Sequence, residues 1–285
     1  MRNSKPPLIA LLTDFGLLDP YVGLLKGVLQ RIAPQARWVD LTHQIPPGDI
    51  PRAAFVLWQS APYLPPGTVF LVVVDPGVGT ARRPLLLTCC GQRFVGPDNG
   101  VFTYLLTQGA WKAHRLANPA FRLPQVSATF HGRDLFAPAA AYAALGVPGP
   151  AFGPPVHDLV RLPLPPCQAD ASQEEVRGQV LHADRFGNLL TSLGRWQVEA
   201  QGWRLTPWLG QGPPVHLVPL AVRLASGQRL PLVRTFGDLP PGEAGALVGS
   251  TGLLEIVVNG GSAAQRLGLQ PGAPVTLEAR FLPTP

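Results

Sequence analysis

The chain has 285 residues, of which 46% are hydrophobic and 14% charged, so it can fill two sizeable cores and is not a disordered protein. The formal net charge of +6 raises the question of nucleic-acid binding. However, the chain has only three lysines, its longest basic run is Arg82-Arg83, and its other arginines are scattered. Because nucleic-acid binding requires clustered phosphate contacts, we expect no nucleic-acid partner.

Targeting and membrane signals are weak. The apolar stretch 8–12 follows Arg2 and Lys5 but is shorter than the core of a signal peptide. No apolar run reaches the roughly 18 residues of a membrane span. The three cysteines, of which Cys89 and Cys90 are adjacent, do not form a disulfide framework. We therefore expect a cytoplasmic protein with no membrane partner.

The first half of the chain alternates predicted strands and helices. Predicted strands cover residues 8–13, 37–41, 68–74, 84–90 and 93–95. Predicted helices are one capped by Asp19 that ends before Pro34, one capped by Asp49, and two over residues 101–106 and 135–145. The continuous apolar run 68–74 is typical of a buried central strand. This alternation predicts a mostly parallel sheet covered by helices.

The composition of the chain changes after Gly146. Residues 146–166 are rich in proline and lack periodicity, which is typical of a linker. Beyond Glu175, short β-branched runs are separated by Gly and Pro turns, which is typical of a small antiparallel barrel or sandwich. The predicted strands there cover residues 176–181, 215–218, 230–233, 253–258 and 275–281.

Aspartates in glycine-rich segments follow three predicted strands of the first half. These residues are Asp14, Asp75 and Asp98. Open α/β sheets bind ligands at the carboxyl ends of their strands, so the three aspartates predict a shared acidic site. An Asp after a strand is also a common turn former or helix cap, and that alternative holds for each of them taken singly.

Other kinds of site are disfavoured by spacing. The loop that begins at Gly77-Val78-Gly79-Thr80 lacks the lysine of a P-loop, and Arg82 stands where a dinucleotide-binding loop has its last glycine. The six histidines show no metal-ligand spacing, and no serine lies in a G-x-S-x-G elbow. Mg²⁺ held by the three aspartates is the remaining metal alternative.

Several segments carry a family resemblance in combination. They are, in order, LLTDFG, YVG followed by KG, LTHQI, VVVDPGVGTARR, GPDNGVF, TFHGRD, ADRFGNLLTS and GSTGLLEI. With them, over residues 8–268, the chain resembles the S-adenosyl-L-methionine (SAM) hydroxide adenosyltransferase family, relatives of the fluorinase and chlorinase enzymes. The resemblance implies a mostly parallel α/β domain with the catalytic triad (1–160), a Pro-rich linker (161–175) and an antiparallel β-barrel domain with adenine and methionine contacts (176–285). It also implies a homotrimer that binds each ligand between the N-domain of one subunit and the C-domain of its neighbour.

The resemblance also implies roles for individual residues. The water-binding catalytic triad consists of Asp75, Arg82 and His131. The substrate-binding residues are Asp14 at the ribose hydroxyls, Asp19, Asp184 and Ser250 at the methionine end, and Asn188 and Phe236 at the adenine, whose edge is read by backbone near 258–260. Two positions depart from the family pattern. Leu190 stands where halogenase relatives carry an aromatic residue, and Phe236 replaces an expected tyrosine.

The chemistry of the implied substrate agrees with these roles. SAM carries a sulfonium and an ammonium, which nearby acids attract, and a carboxylate can accept hydrogen bonds from both ribose hydroxyls. Because the sulfonium makes methionine a good neutral leaving group, the protein has to align water behind the ribose C5′ and exclude solvent. Arg82 would keep Asp75 ionised while His131 orients the water. Taken singly, Arg82 would equally suit a surface ion pair, and His131 a histidine near a helix start.

We therefore expect the chain to hydrolyse SAM to adenosine and L-methionine without a metal or added cofactor. The first alternative is a halogenase on the same scaffold. A halide about 4 Å from Asp75 would cost on the order of 4 kcal/mol at an effective dielectric of 20, which disfavours it. The second alternative, a non-catalytic adenosine or SAM binding protein, would need the ligand contacts but not the triad. A methyltransferase is disfavoured because the Gly-rich turn after the first strand is absent.

Overall fold

The computed structural model describes residues 6–199 and 202–283, and the chain divides into two compact units, Met1–Leu162 and Pro163–Pro285. Arg2 and Lys5, the basic residues before the first apolar stretch, lie outside the described residues. In the part of the chain that is described, no helix is both long and apolar enough to cross a membrane. Residues 168–170, inside the segment expected to be a linker, form a strand of the second unit.

A seven-stranded mixed sheet forms the centre of the N-terminal unit. Its strands are β1 (Leu8–Thr13), β2 (Arg37–Thr42), β3 (Val69–Val73), β4 (Pro84–Cys89), β5 (Gln92–Pro97), β6 (Trp111–Arg115) and β7 (Pro155–Val156). Its helices are α1 (Tyr21–Ile32), α2 (Ile50–Ser60), α3 (Ala137–Ala144) and α4 (Gly149–Phe152), with a π-helical turn over Gly132–Phe136. The strand order is β2-β1-β3-β5-β4-β6-β7, parallel from β2 to β5 and antiparallel beyond.

Both faces of this sheet are covered by helices. Ile9 and Leu11 belong to a core shared with α1 and α3, whereas Ala10 and Leu12 belong to a second core that includes Leu57 of α2. Successive residues of a strand point to opposite faces, so a continuous apolar run is what a strand buried on both sides requires. The predicted α/β class is confirmed.

Two aspartates were predicted to cap the first two helices, and the structure shows a cap for one of them. Asp49 caps α2 as expected, because its carboxylate accepts a hydrogen bond of 2.9 Å from the Arg52 amide. The prediction that Asp19 caps the first helix is wrong, since α1 begins at Tyr21 after Pro20 and has no side-chain cap.

The helix predicted over residues 101–106 is also wrong. This segment consists of turns that end in a 3₁₀ turn, Leu105–Thr107. The Asn99 side chain accepts a hydrogen bond from the Val101 amide, and the Thr103 hydroxyl donates to the Gly100 carbonyl. Such local side-chain bonds compete with the backbone bonds of a helix.

The C-terminal unit is built on antiparallel strands. They are β8 (Gln168–Asp170), β9 (Glu175–Ala183), β10 (Leu189–Glu199), β11 (Gly202–Thr206), β12 (Val215–Leu224), β13 (Arg229–Pro231), β14 (Ala244–Val248), β15 (Leu253–Val258) and β16 (Pro274–Phe281), with the short helix α5 (Ala263–Leu267). The pairings β9–β10, β10–β11, β11–β12, β12–β16 and β16–β9 return to their starting strand, so these five strands form a closed barrel. Strands β15 and β14 extend the sheet from β10. The predicted β-barrel is confirmed.

Candidate functional site

A pocket of about 350 Å³ lies at the carboxyl ends of β1 and β3 in the N-terminal unit. Asp14 follows β1, Asp75 lies two residues after β3, and His131 precedes the π-helical turn, and all three line the pocket. Phe15, Phe130 and Val78 supply apolar walls. Parallel strands end at one edge of the sheet, so residues far apart in sequence meet there.

Asp75, Arg82 and His131 are in direct contact. The Arg82 guanidinium binds Asp75 through both carboxylate oxygens, with its Nε donating to Oδ1 over 2.8 Å and its Nη2 donating to Oδ2. The same Nη2 lies 2.7 Å from Nδ1 of His131. Only 9% of the Arg82 side chain and 5% of the Asp75 side chain are exposed. A bidentate ion pair of this kind fixes both the guanidinium and the carboxylate in orientation as well as position.

The contact with Arg82 determines the protonation of His131. An arginine side chain has no acceptor, so Nδ1 of His131 must accept the hydrogen bond from Nη2, which leaves the proton of the neutral ring on Nε2. Burial lowers the pKa of His131, and the Arg82 guanidinium lowers it further against the smaller opposing effects of Asp75 and Asp134. His131 is therefore neutral near pH 7 and presents an N–H donor at Nε2.

The loop between Asp75 and Arg82 is shaped by glycines. The Val78 amide donates to the Asp75 carbonyl, and the Thr80 amide donates to the Gly77 carbonyl. Gly79 has φ +79°, and a Cβ there would lie 2.6 Å from the Ala128 carbonyl oxygen. Only glycine tolerates both the left-handed backbone and this close approach, which brings the loop against the segment that leads to His131.

The π-helical turn that follows His131 packs closely on the sheet. A Cβ added to Gly132 would lie 3.3 Å from both Phe15 and Val73. Asp134 in the turn is buried, and it accepts hydrogen bonds from the Ser127 amide and the Arg133 guanidinium. These contacts hold His131 at the pocket, and π-helical turns are frequent at functional sites.

Asp14 is held by the neighbouring loop. Its Oδ2 accepts a hydrogen bond of 2.9 Å from the Gly48 amide. Burial raises the pKa of Asp14, an effect that the Gly48 hydrogen bond opposes and the nearby Asp75 reinforces. The charge of Asp14 is therefore incompletely compensated, and hydroxyl donors from a ligand would stabilise it.

Two other predicted residues of this unit lie elsewhere. Asp98 binds Arg83 at 2.6 Å and accepts a hydrogen bond from the Val160 amide, so it holds two loops together instead of lining the pocket. Asp19 is exposed in the turn before α1 and is not among the residues that line the pocket. Of the three strand-end aspartates, only Asp14 and Asp75 form the acidic site.

The C-terminal unit has its own pocket, of about 860 Å³. It brings together four of the sequence-predicted residues, Asp184, Asn188, Phe236 and Ser250. Val258 and Gly260, whose surrounding backbone was expected to read adenine, also line it. Phe236 is 43% exposed, and an aromatic side chain at the pocket suits stacking against a planar group.

Asp184 organises the turn between β9 and β10. Its Oδ1 accepts hydrogen bonds from the amides of Phe186 and Asn188 at 2.8 and 2.9 Å, and its Oδ2 accepts from the Asn188 side chain at 3.0 Å. The amide hydrogens of Asn188 and the carboxylate are thus fixed before a ligand arrives. The sequence ADRFGN folds this way because an Asp side chain readily caps its own turn.

Several residues that line this pocket were not predicted from the sequence, and three of them carry an aromatic or charged side chain. Phe186 is 78% exposed, and Arg234 and Glu255 line the same cavity. Burial raises the pKa of Glu255 to about 7, and the nearby Asp184 charge contributes to the increase. The one sequence signal was an acid inside the otherwise apolar run of β15.

The fold and the two pockets define an α/β unit with a charged strand-end site joined to a β-barrel unit with an aromatic, acidic pocket. Two family models match this chain, the SAM hydroxide adenosyltransferase N-terminal domain over residues 9–153 and the C-terminal domain over residues 178–276. The chain belongs to the SAM hydroxide adenosyltransferase family.

Individual relatives agree with this membership. The chain is 45% identical to the (R)-S-adenosyl-L-methionine hydrolase of Thermus thermophilus, with 93% of this chain and 97% of the relative covered. It is 28% identical to the fluorinase of Nocardia brasiliensis over 97% of this chain and 98% of that enzyme. A crystal structure of an uncharacterized conserved protein from Thermotoga maritima superposes with a TM-score of 0.79 at 34% identity, covering 94% of this chain and 99% of that one.

Proposed function

We propose that this chain is an enzyme that hydrolyses S-adenosyl-L-methionine to adenosine and L-methionine. The observation that carries the proposal is the contact set of Asp75, Arg82 and His131, with both carboxylate oxygens and the histidine Nδ1 bound to one buried guanidinium. The hydrolase relative at 45% identity supports the same reaction.

The reaction is a displacement at the ribose C5′. A water oxygen forms the new C5′–O bond while the C5′–S bond breaks and its electron pair returns to sulfur. Methionine then leaves as a neutral thioether, so no acid needs to protonate it. The water loses one proton overall, and Asp75 is the ionised group of the set to which it can donate a hydrogen bond. Holding the water in line with the breaking bond supplies most of what the enzyme must add.

Asp75, Arg82 and His131 have distinct parts in this proposal. The Arg82 guanidinium uses its Nε and Nη2 hydrogens on Asp75 and His131, so it orients both groups. Asp75 accepts a hydrogen bond from the attacking water, and the Nε2–H of His131 can donate a hydrogen bond to the same water. This arrangement exists before the substrate binds, which lowers the reorganisation needed in the transition state.

The remaining residues hold the substrate. Asp14 accepts hydrogen bonds from the ribose hydroxyls, which stabilises its incompletely compensated charge. Phe236 and Asn188 contact the adenine. The methionine end meets Asp184 and Ser250, and the exposed acid Asp19 attracts the cationic ligand.

The halogenase alternative is disfavoured by the same contact set. A halide at the water position would face the Asp75 carboxylate, and the positive charge of Arg82 that would attract it is already paired. A non-catalytic binding protein would not require a buried carboxylate that is bound through both oxygens and lies beside a neutral histidine.

We also propose a homotrimer in which each ligand contacts the N-terminal unit of one subunit and the C-terminal unit of its neighbour. The ligand-binding residues divide between two separate pockets, one in each unit, which supports this proposal. A cytoplasmic location is favoured by Cys89, Cys90 and Cys167, all of which are free thiols. Light scattering of the full chain is expected to report a trimer, and a fully active monomer would overturn the shared site.

Product analysis tests the activity directly. Purified protein is incubated with SAM, and the products are separated and identified by mass. Adenosine and methionine in equal amounts are expected. A 5′-halo nucleoside in the presence of halide would support the halogenase, S-adenosylhomocysteine would indicate methyl transfer, and the absence of any product would leave only a binding protein.

A further inference from the structure

Two adjacent thiols lie at the edge of the N-terminal sheet that is remote from the candidate site. Cys89 is the last residue of β4, and Cys90 begins the two-residue turn that leads into β5. The Gly67 amide, just before β3, donates a hydrogen bond of 2.8 Å to the Gly91 carbonyl in this turn. Asp75 follows the other end of β3, whose five residues span about 16 Å. The proposed hydrolysis therefore gives these two thiols no role.

The turn holds Cys90 in an unfavourable backbone conformation. The φ angle is +54° at Cys90 and +73° at Gly91. Positive φ at both residues is the pattern of a type I′ hairpin turn, whose first position favours Asn, Asp or Gly. A cysteine there carries strain that a common turn residue would avoid, and strain of this kind is concentrated at functional sites. Cys90 is therefore a candidate for chemistry.

The two thiols are in contact but differ in exposure. Their Sγ atoms lie 2.9 Å apart, so one bound atom can reach both. Cys90 is exposed, whereas Cys89 is buried and its Sγ lies 3.6 Å from the Leu105 carbonyl oxygen. Burial raises the pKa of Cys89 to about 12, and the contact with Cys90 contributes to the increase. A thiol-reactive molecule therefore meets Cys90 first and finds Cys89 protonated beside it.

A pocket of about 340 Å³ adjoins Cys90. Its apolar lining residues are Trp58, Ala61, Pro62, Leu64, Pro66 and Leu105. Gln92 and Gln108 add polar groups, and the Gln92 amide already donates hydrogen bonds to the carbonyls of Ala61 and Leu64. A cavity of about 150 Å³ is enough to hold benzene, so this pocket has room for an aromatic group attached to a molecule that binds the thiols.

We propose that Cys89 and Cys90 form a chelating dithiol that binds a trivalent arsenical carrying one apolar substituent, with that substituent in the adjacent pocket. The hydrated arsenical has two hydroxyls on arsenic. The Cys90 sulfur forms the first sulfur–arsenic bond, and one hydroxyl leaves as water with the Cys90 proton. The Cys89 sulfur then displaces the second hydroxyl, which leaves as water with the Cys89 proton. Arsenic stays trivalent throughout, and the departing hydroxyl removes the need for a free Cys89 thiolate.

Two related products are less suited to this site. The Cα atoms of adjacent residues are about 3.8 Å apart, whereas ordinary disulfides join Cα atoms about 4.4–6.8 Å apart. An arsenic atom lengthens the bridge between the two sulfurs and so relieves this constraint. Inorganic arsenite would leave its third hydroxyl facing the apolar side chains of the pocket. The thiols therefore favour an arsenical over a disulfide, and the pocket favours an organic arsenical.

Intact-protein mass spectrometry of the full chain with phenylarsine oxide, in a large excess of glutathione, tests the dithiol. The wild type is expected to gain one phenylarsenic group and to lose two hydrogens, since a chelating pair of thiols competes with glutathione and a single thiol does not. Cys90→Asn and Cys89→Ala are each expected to bind about 10²–10⁴-fold more weakly. Asn suits the turn, so Cys90→Asn should unfold at no lower temperature than the wild type does. Cys167→Ser, which removes the free thiol of the other unit, is the matched control and should bind as the wild type does.

Ligand selectivity tests the pocket. Phenylarsine oxide is expected to bind about 10- to 100-fold more tightly than arsenite, after correction for the preference that dithiothreitol shows between the same two compounds. Equal corrected affinities would remove the pocket from the proposal.

Three results would overturn the dithiol. They are the absence of an adduct on the wild type in excess glutathione, an undiminished adduct on Cys90→Asn, and an adduct that keeps a hydroxyl on arsenic and so has only one bond to sulfur. None of these measurements depends on SAM hydrolysis, so the proposed function is tested separately by adenosine release.

Discussion

The two pockets of this protein treat buried charge in opposite ways. In the N-terminal unit, Asp75 is bound at both oxygens by Arg82, which also binds His131. In the C-terminal unit, Glu255 is also buried but has no hydrogen-bond or ion-pair partner among the described residues. A charge that is paired within the protein has its position fixed in advance, whereas an unpaired one gains its partner only when a cation binds. The first pocket is suited to chemistry and the second to recognition.

The largest expected effect tests whether the paired pocket performs the chemistry. Asp75→Asn, Arg82→Ala and His131→Ala are each expected to lower kcat for SAM hydrolysis by about 10²–10⁴-fold, with little change in adenosine affinity. The residues contact the attacking water and each other, so their contributions fall on the transition state. Steady-state kinetics with calorimetry of adenosine binding measures both quantities.

Arg83, the arginine next to Arg82, provides the control. Arg83→Ala removes the ion pairs with Asp98 and Asp158 at the adjacent strand end and should leave kcat within about threefold of wild type. Because Asp75, Arg82 and His131 form one unit, the triple variant should be little slower than the slowest single variant. Wild-type rates in all three single variants would refute the assignment of chemistry to this pocket.

A smaller effect is expected at Asp14, which lies in the same pocket but serves binding. Asp14→Ala should weaken adenosine and SAM alike by about 10- to 100-fold, because both ligands carry the ribose diol and lose one charge-assisted contact of about 1.5–3 kcal/mol. Isothermal calorimetry measures the adenosine affinity, and the KM for hydrolysis reports the change for SAM. 2′,3′-Dideoxyadenosine provides the ligand-side control, since the variant should bind it no worse than wild type does. Equal losses for the dideoxy ligand would make Asp14 a turn former only.

The sequence predicted those parts of the fold and site that depend on local patterns. Strands β1 and β3 were predicted because a strand buried on both faces is a continuous apolar run. Asp75 was identified as a candidate because it follows the apolar run of β3. Strand β10 was missed because Gly194 and the polar pair Thr191-Ser192 interrupt its pattern. Its register is set by β9, β11 and β15, which are distant in sequence.

The same distinction separates the predicted site residues. Asp14, Asp75 and Asp98 look alike in sequence, because each follows a strand and lies two residues before a glycine. Only tertiary contacts distinguish them, because Asp98 is held by Arg83 and by the backbone of Val160, 62 residues away. Glu255 gave little signal for the same reason, since its burial and its lack of a partner depend on the segments around Asp184 and Gly249.

The smallest expected effect sharpens the comparison most, because it separates the two pockets in one pH series. His131 must be neutral to accept from Arg82, and its pKa lies below the ordinary histidine value, so the neutral form dominates at pH 7 and is lost only as the pH falls through that lowered pKa. Even an ordinary value near 6.5 would leave about three quarters of the rings neutral at pH 7, so kcat should rise less than about 1.5-fold between pH 7 and pH 8.

Between pH 6 and pH 7.5, in contrast, KM should fall several-fold as Glu255 ionises, and this fall should disappear in Glu255→Gln. Steady-state rates over pH 6–8 separate the two parameters, since kcat reports groups in the bound complex and kcat/KM those of the free enzyme. A severalfold rise in kcat between pH 7 and pH 8 would contradict a neutral His131 and with it the direction of the Arg82 hydrogen bond.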